Sequence, residues 1–189
     1  MGERWRLFVA VPIGDELRTV LAEAVDAWRQ RPDLDGLRWT DPAGWHLTLA
    51  FLGATEPETV PGVVSAITSV TASHAPMTLE GGVLGGFPSA RHARVAWYGV
   101  DDPEARLRGL ASDVRAAIGV DRGAPFSPHL TVGRARGRAV DLRPWVAEVR
   151  PPVGRLDVRR VELLRSNLGP GPARYETIAS VELEVVARV

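Results

Sequence analysis

The stretch LRWTDPAGWHLTLAFLG, residues 37–53, contains the word His46-Leu47-Thr48-Leu49, and a second copy stands at His129-Leu130-Thr131-Val132. In an extended strand alternate side chains share a face, so each His lies beside its Thr while the apolar residues between and beyond them turn the other way. Each copy therefore offers one imidazole and one hydroxyl from the polar side of a half-buried strand. Brought together, the copies make a cleft with two groups that can move protons and two hydroxyls that can donate to phosphate oxygens.

Working outward, Leu7–Ile13 (LFVAVPI) reads as a buried strand whose end, at Pro12, lies near a bend or sheet edge. Asp15 then opens a helix with Leu17, Val20, Leu21, Ala24, Val25 and Trp28 at helical spacing. A Pro/Asp/Gly loop leads through Leu37-Arg38-Trp39 into the strand of His46, and a helix is expected from about Glu56 to Ser73. The same order recurs. Arg94–Val100 reads as a strand, Asp101 or Asp102 before Pro103 starts a helix running to about Ile118, and a second strand covers Phe126–Val132. A helix at Leu142–Val149 and strands at Arg155–Arg165 and Arg174–Val185, joined by a turn at Asn167–Pro172, complete the chain. Two strand–helix–loop–strand units predict an internal duplication within one α+β domain spanning residues 1–189, with the two His-x-Thr strands on the walls of a shared groove.

Composition narrows the chemistry. The 189 residues are 45% hydrophobic and 24% charged, ordinary for a globular protein, and include no cysteine, which excludes disulfides and thiolate metal sites. All 23 basic residues are arginine. A phosphate-loop lysine, a Schiff base and a lysine–nucleotide intermediate are therefore unavailable. Residues 1–121 hold 11 Arg against 16 Asp and Glu, and residues 122–189 hold 12 against 7, so the second motif stands in the more cationic part. No apolar run approaches a membrane span and the start lacks signal-peptide features, so a cytoplasmic protein is expected.

The paired HLTL and HLTV words, together with RLFVAVPI, LRWTDPAGWHLTLAFLG, GGFPSARHARVAWYGV and SPHLTVGR, resemble the two-histidine (2H) phosphoesterase superfamily. Within it they are most similar to the bacterial and archaeal RNA 2′,3′-cyclic phosphodiesterases, also called 2′-5′ RNA ligases. The resemblance runs from Arg6 to about Glu184. It implies a bilobal fold with two pseudo-symmetric antiparallel-sheet lobes, flanking helices and a central groove. It also implies hydrolysis of RNA or nucleoside 2′,3′-cyclic phosphates to a 2′-phosphate, with no metal or other cofactor; a monomer with no membrane partner is expected.

In this likeness His46 and His129 are the catalytic pair, with His129 as base for water and His46 as acid for the leaving 3′-oxygen; the residues alone fix the pair and not the division of roles. Thr48, Thr131 and Arg134 bind the phosphate. The first copy has Phe51 where the second has Arg134, making the groove asymmetric. His74 and His92 have no repeated partner and read as surface residues. Trp39, Trp45 and Trp97 read as core or lobe-interface residues, with Phe87 and Tyr175 as weaker base-stacking candidates. Gly81-Gly82 and Gly85-Gly86 form no dinucleotide fingerprint, because no helical pattern follows them. Three other functions stay open: 2′-5′ ligation in the same groove, hydrolysis of another cyclic phosphodiester, and RNA binding without catalysis.

Overall fold

The computed structural model describes residues 3–120, 125–167 and 173–184. In chain order the strands and helices are β1 (Trp5–Pro12), α1 (Asp15–Trp28), β2 (Leu37–Trp39), β3 (His46–Thr55), α2 (Val60–Thr71), β4 (Met77–Phe87), β5 (Val95–Asp101), α3 (Arg106–Ala117), β6 (His129–Ala135), α4 (Arg143–Glu148), β7 (Gly154–Val158), β8 (Arg160–Asn167) and β9 (Arg174–Glu182).

All nine strands join one antiparallel sheet in the order β7-β4-β5-β6-β3-β1-β8-β9, with β2 added to β6. The two motif strands are its central neighbours, paired at the single position Leu47↔Leu130. The groove is thus made of adjacent strands that part from each other on either side of one contact. Leu47 and Leu130 are both fully buried, anchoring that junction in the core. From the junction outward the two flanks repeat each other, β3-β1-β8-β9 on one side and β6-β5-β4-β7 on the other.

Helix α1 forms because Leu17, Leu21, Val25 and Trp28 make one buried stripe, with Asp15 and Glu16 in the first turn favoured by the helix dipole. Although it follows β1, it packs on β7 of the other flank, where Leu17 lies against Gly154. Helix α3, which follows β5, packs on β3 in return. This exchange braces the two flanks against each other. Among the described residues no helix is long and apolar enough to cross a membrane.

Several local expectations shift. Pro12 ends an interior strand rather than an edge one, pairing with His46 as the last residue of β1. The expected strand Arg155–Arg165 is two: β7 pairs with β4 and β8 with β1, so the chain crosses between flanks at Arg159. Helix α3 starts at Arg106 instead of Pro103, and the fully buried Asp102 carboxylate reaches forward to accept from the amides of Leu107 (3.2 Å) and Arg108 (2.9 Å). Of the expected turn Asn167–Pro172, residues 168–172 lie outside the described residues, as does Val185 of the last expected strand.

Candidate active site

Both motif strands carry a bulge at the same place. On β3, Ala10 pairs with Thr48 and Val9 with Ala50, leaving Leu49 unmatched; on β6, Trp97 pairs with Thr131 and Ala96 with Gly133, leaving Val132 unmatched. A bulge shifts the phase of side-chain alternation by one residue. Leu49-Ala50 and Val132-Gly133 accordingly are buried in succession, and the next residues, Phe51 and Arg134, return to the groove. Each freed bulge carbonyl is taken. Leu49 O accepts from Arg115 Nε at 2.7 Å and Val132 O from the Thr40 amide at 2.9 Å.

His46, His129, Thr48, Thr131 and Arg134 all line one groove of about 840 Å³. The two imidazoles are held identically. Nδ1–H of His46 donates to Gly44 O and that of His129 to Ser127 O, each at 2.7 Å. A carbonyl can only accept, so Nδ1 carries the hydrogen and Nε2 of each neutral ring keeps a free lone pair. The antiparallel direction sets each His across from the other copy's Thr.

Aromatic rings pack on both imidazoles. Phe8 and Tyr175 lie 4.8 and 5.0 Å from His46, and Phe87 and Trp97 lie 4.9 and 6.3 Å from His129, between ring centroids. Burial accordingly pushes both histidines below the ordinary imidazole range, and the Arg134 charge pushes each further. His46 also feels the positive charge of His129. The bonds to Gly44 and Ser127 act in the opposite direction, and for His46 so does the Glu162 carboxylate.

The sequence profile of the 2′-5′ RNA ligase superfamily matches residues 17–170, a span that includes both motifs and most of the groove. The chain belongs to that superfamily. Among curated members, it is 31% identical over 188 residues to an RNA 2′,3′-cyclic phosphodiesterase of Geobacillus stearothermophilus, covering 96% of this chain and 58% of that protein. It is 30% identical to one of Archaeoglobus fulgidus, covering 94% of this chain and 99% of the relative. The structure of E. coli LigT with 3′-AMP matches with a TM-score of 0.76 at 26% identity, over 96% of this chain and 99% of that one. TT0787 of Thermus thermophilus matches at 0.75 and 27%, over 94% and 97%. The bilobal 2H phosphoesterase fold expected from the motifs is thus the fold found.

Within this superfamily frame the groove holds residues that sequence reading passed over. Arg38 lines it from β2, a strand read only as a lead-in. Thr40 links the motifs: its hydroxyl accepts from Trp45 Nε1 and donates to Thr131 O, both at 2.8 Å. Tyr175, read from the sequence only as a weaker base-stacking candidate, lines the groove beside His46. Phe51, expected in the groove from its offset after His46, is 65% exposed there, and Trp39 and Trp45, read as core or lobe-interface residues, also contribute to the lining. His92 is exposed as expected, whereas His74 is half-buried and pairs through Nε2 with Asp113 at 2.9 Å, joining the turn after α2 to α3. Among the described residues no three His, Asp or Glu side chains converge as a metal site would require.

Proposed function

We propose that this chain hydrolyses 2′,3′-cyclic phosphates at RNA ends or on nucleosides to 2′-phosphates, with His46 and His129 as its proton-transfer pair. The observation that carries the reading is the matched anchoring of the two imidazoles, each fixed through Nδ1 and each leaving Nε2 to a groove shared with two Thr hydroxyls and Arg134. The names of the curated relatives agree with it.

A water oxygen attacks phosphorus in line with the 3′-oxygen, and the P–O3′ bond breaks. His129 Nε2 takes the water proton and His46 Nε2–H gives a proton to the departing 3′-oxygen. One water is consumed, and the pair, left with its protonation reversed, resets through solvent. Thr48 and Thr131 donate to the nonbridging oxygens and Arg134 adds charge-assisted bonds as negative charge concentrates there. The division of roles follows the family likeness; the Glu162 carboxylate favours the His46 imidazolium, while burial, Arg134 and the positive charge of His129 oppose it. Glu162 is 15% exposed at its side chain and is held by Arg160 at 3.0 Å. The reading treats residues 1–189 as one bilobal domain. Since one chain supplies all five site residues, it requires no second copy, and no step is assigned to a metal.

The test is turnover of adenosine 2′,3′-cyclic phosphate and of an RNA oligonucleotide with a cyclic phosphate end, in EDTA, with the product isomer identified. The expected product is the 2′-phosphate, and His46→Ala or His129→Ala lowers the rate at least ~10²-fold, the scale of a general acid or base. A 3′-phosphate product, or folded protein that binds RNA ends without turning them over, overturns the reading.

A further inference from the structure

Strands β2 and β6 set two arginines directly opposite each other, Arg38 against Arg134, between the pairs Leu37↔Ala135 and Trp39↔Gly133. Directly paired residues of an antiparallel ladder share a face with Cβ atoms roughly 5 Å apart, and like charges there repel. Both guanidiniums are exposed, both line the groove, and among the described residues neither makes an ion pair or a side-chain hydrogen bond. Among the described residues the one acid in the groove lining is Asp41, whose Oδ1 accepts from the Ala43 amide at 2.9 Å. An uncompensated cross-strand pair of cations in a cleft is suited to a ligand with more than one negative charge.

The two are not equivalent. Arg134 stands on β6 itself, five residues after His129, and its charge depresses both imidazoles, while Arg38 stands on β2, the next strand over. One cation is at the reacting centre and its neighbour is a step removed. A polynucleotide end presents its phosphates in that relation: a reacting cyclic phosphate, then, one nucleotide back, an unreactive phosphodiester.

We propose that Arg38 binds this second phosphate, the 5′-phosphodiester joining the terminal nucleotide to the rest of the strand, and so makes polynucleotide ends better substrates than nucleoside cyclic phosphates. The proposal rests on the cyclic phosphodiesterase reading. Arg38 is a specificity residue that touches substrate away from the reacting phosphorus. Among the described residues the groove's other arginine without an ion pair, Arg6, lies past Phe51 at the opposite end of the motif strands, since β1 continues from the Phe8↔Phe51 pair to Arg6↔Ala54. Arg38 is preferred because only it adjoins the cation assigned to the reacting phosphate.

The experiment compares kcat/KM for adenosine 2′,3′-cyclic phosphate with that for the dinucleotide ApA ending in a 2′,3′-cyclic phosphate, in wild type, Arg38→Gln, Arg38→Lys and Arg6→Gln. Wild type is expected to prefer the dinucleotide, and Arg38→Gln to lower that preference by about tenfold or more, the scale of a charge-assisted hydrogen bond. Arg38→Lys retains part of it, and Arg6→Gln keeps the wild-type ratio. Equal losses on both substrates, or a preference erased by Arg6→Gln instead, overturn the assignment. A wild type that turns over neither substrate is instead the failure of the underlying reading. Calorimetry with adenosine 2′,5′-bisphosphate and 2′-AMP then judges the subsite by itself: if the second phosphate adds no affinity that Arg38→Gln removes, Arg38 is not its partner.

Discussion

Replacing Thr40 by valine keeps the shape of the side chain and deletes the one hydroxyl that connects the two motifs. That hydroxyl accepts from the Trp45 indole at 2.8 Å and donates to the Thr131 carbonyl at 2.8 Å, so it joins the residue before His46 to the peptide of Thr131, the second Thr proposed to bind phosphate. Trp45 is 4% exposed and cannot turn its N–H to water. An orphaned buried donor costs about 1–3 kcal/mol, and the abandoned Thr131 carbonyl adds about 1 kcal/mol, giving about 2–4 kcal/mol in all. At about 2–4 °C per kcal/mol for a chain of this size, Thr40→Val should lower Tm by about 4–16 °C. The Thr40 amide still holds Val132 O in the variant, so the bulge survives while the Thr131 peptide loses one tether. Displacing a positioning group by a fraction of an ångström costs on the order of tenfold in rate, so kcat should fall by about that much at a temperature where the variant is fully folded. Thr40→Ser keeps the hydroxyl and should restore both Tm and kcat most of the way. Thermal melts with kcat and KM for all three proteins decide it. A Thr40→Val Tm within about 1 °C of wild type, or a serine variant as impaired as the valine one, would refute the linkage.

Because burial and then Arg134 hold both imidazoles below the ordinary value of about 6.5, the pH profile of kcat/KM should be a bell with its maximum on the acid side of that value. Arg134→Gln should move both limbs to higher pH, since removing a positive neighbour makes each ring easier to protonate; a wild-type maximum above pH 7 contradicts the assignment. The same depressed values set a stability trend: the unfolded chain takes up these protons at higher pH than the folded one, so stability is full above about pH 6.5 and falls as the pH drops through it, measurable by urea melts. Gly85→Ala would drive a Cβ into the Trp97 indole, which pairs with Thr131 and packs near His129. Overpacking of this kind costs about 1–3 kcal/mol, so both Tm and kcat should drop, and an unchanged protein would mean that the indole has somewhere else to go.

What was legible in the sequence was what short-range periodicity encodes. The alternation of HLTL and HLTV, the stripe Leu17, Leu21, Val25 and Trp28, and the apolar run of β1 each report a local face, and each element was found. Strand β4 was not legible. Its four glycines remove the side chains that would show a period of two, and its stability comes from β5: Tyr98 lies on Gly81 and Trp97 on Gly85, filling the space a Cβ would need. The break at Arg159 was hidden for a related reason, since β7 and β8 both read as extended and nothing local tells that they join opposite flanks of the sheet. Arg38, Thr40 and Tyr175 reach the groove through the pairing of β2 with β6 and of β9 with β8, contacts made far from either motif in sequence.

The bulges explain a spacing that simple alternation does not. With a strict period of two, His129 and Thr131 would be followed on the groove face by Gly133, and His46 and Thr48 by Ala50. Those residues are instead buried, small enough to sit under the bend, and the face passes to Arg134 and Phe51. One structural device repeated in both strands thereby creates a third groove position in each, five residues after the His, and the two copies fill it with different chemistry. Arg134 sets a cation opposite Arg38 across the ladder, while the exposed Phe51 ring offers an apolar surface at the other end of the motif strands. The backbone frame is close to symmetric about Leu47 and Leu130, but a terminal nucleotide has a charged end and a flat, weakly polar base. The asymmetry it needs is carried by these side chains on a repeated backbone, so exchanging the pair, Phe51→Arg with Arg134→Phe, should preserve the fold and abolish efficient turnover.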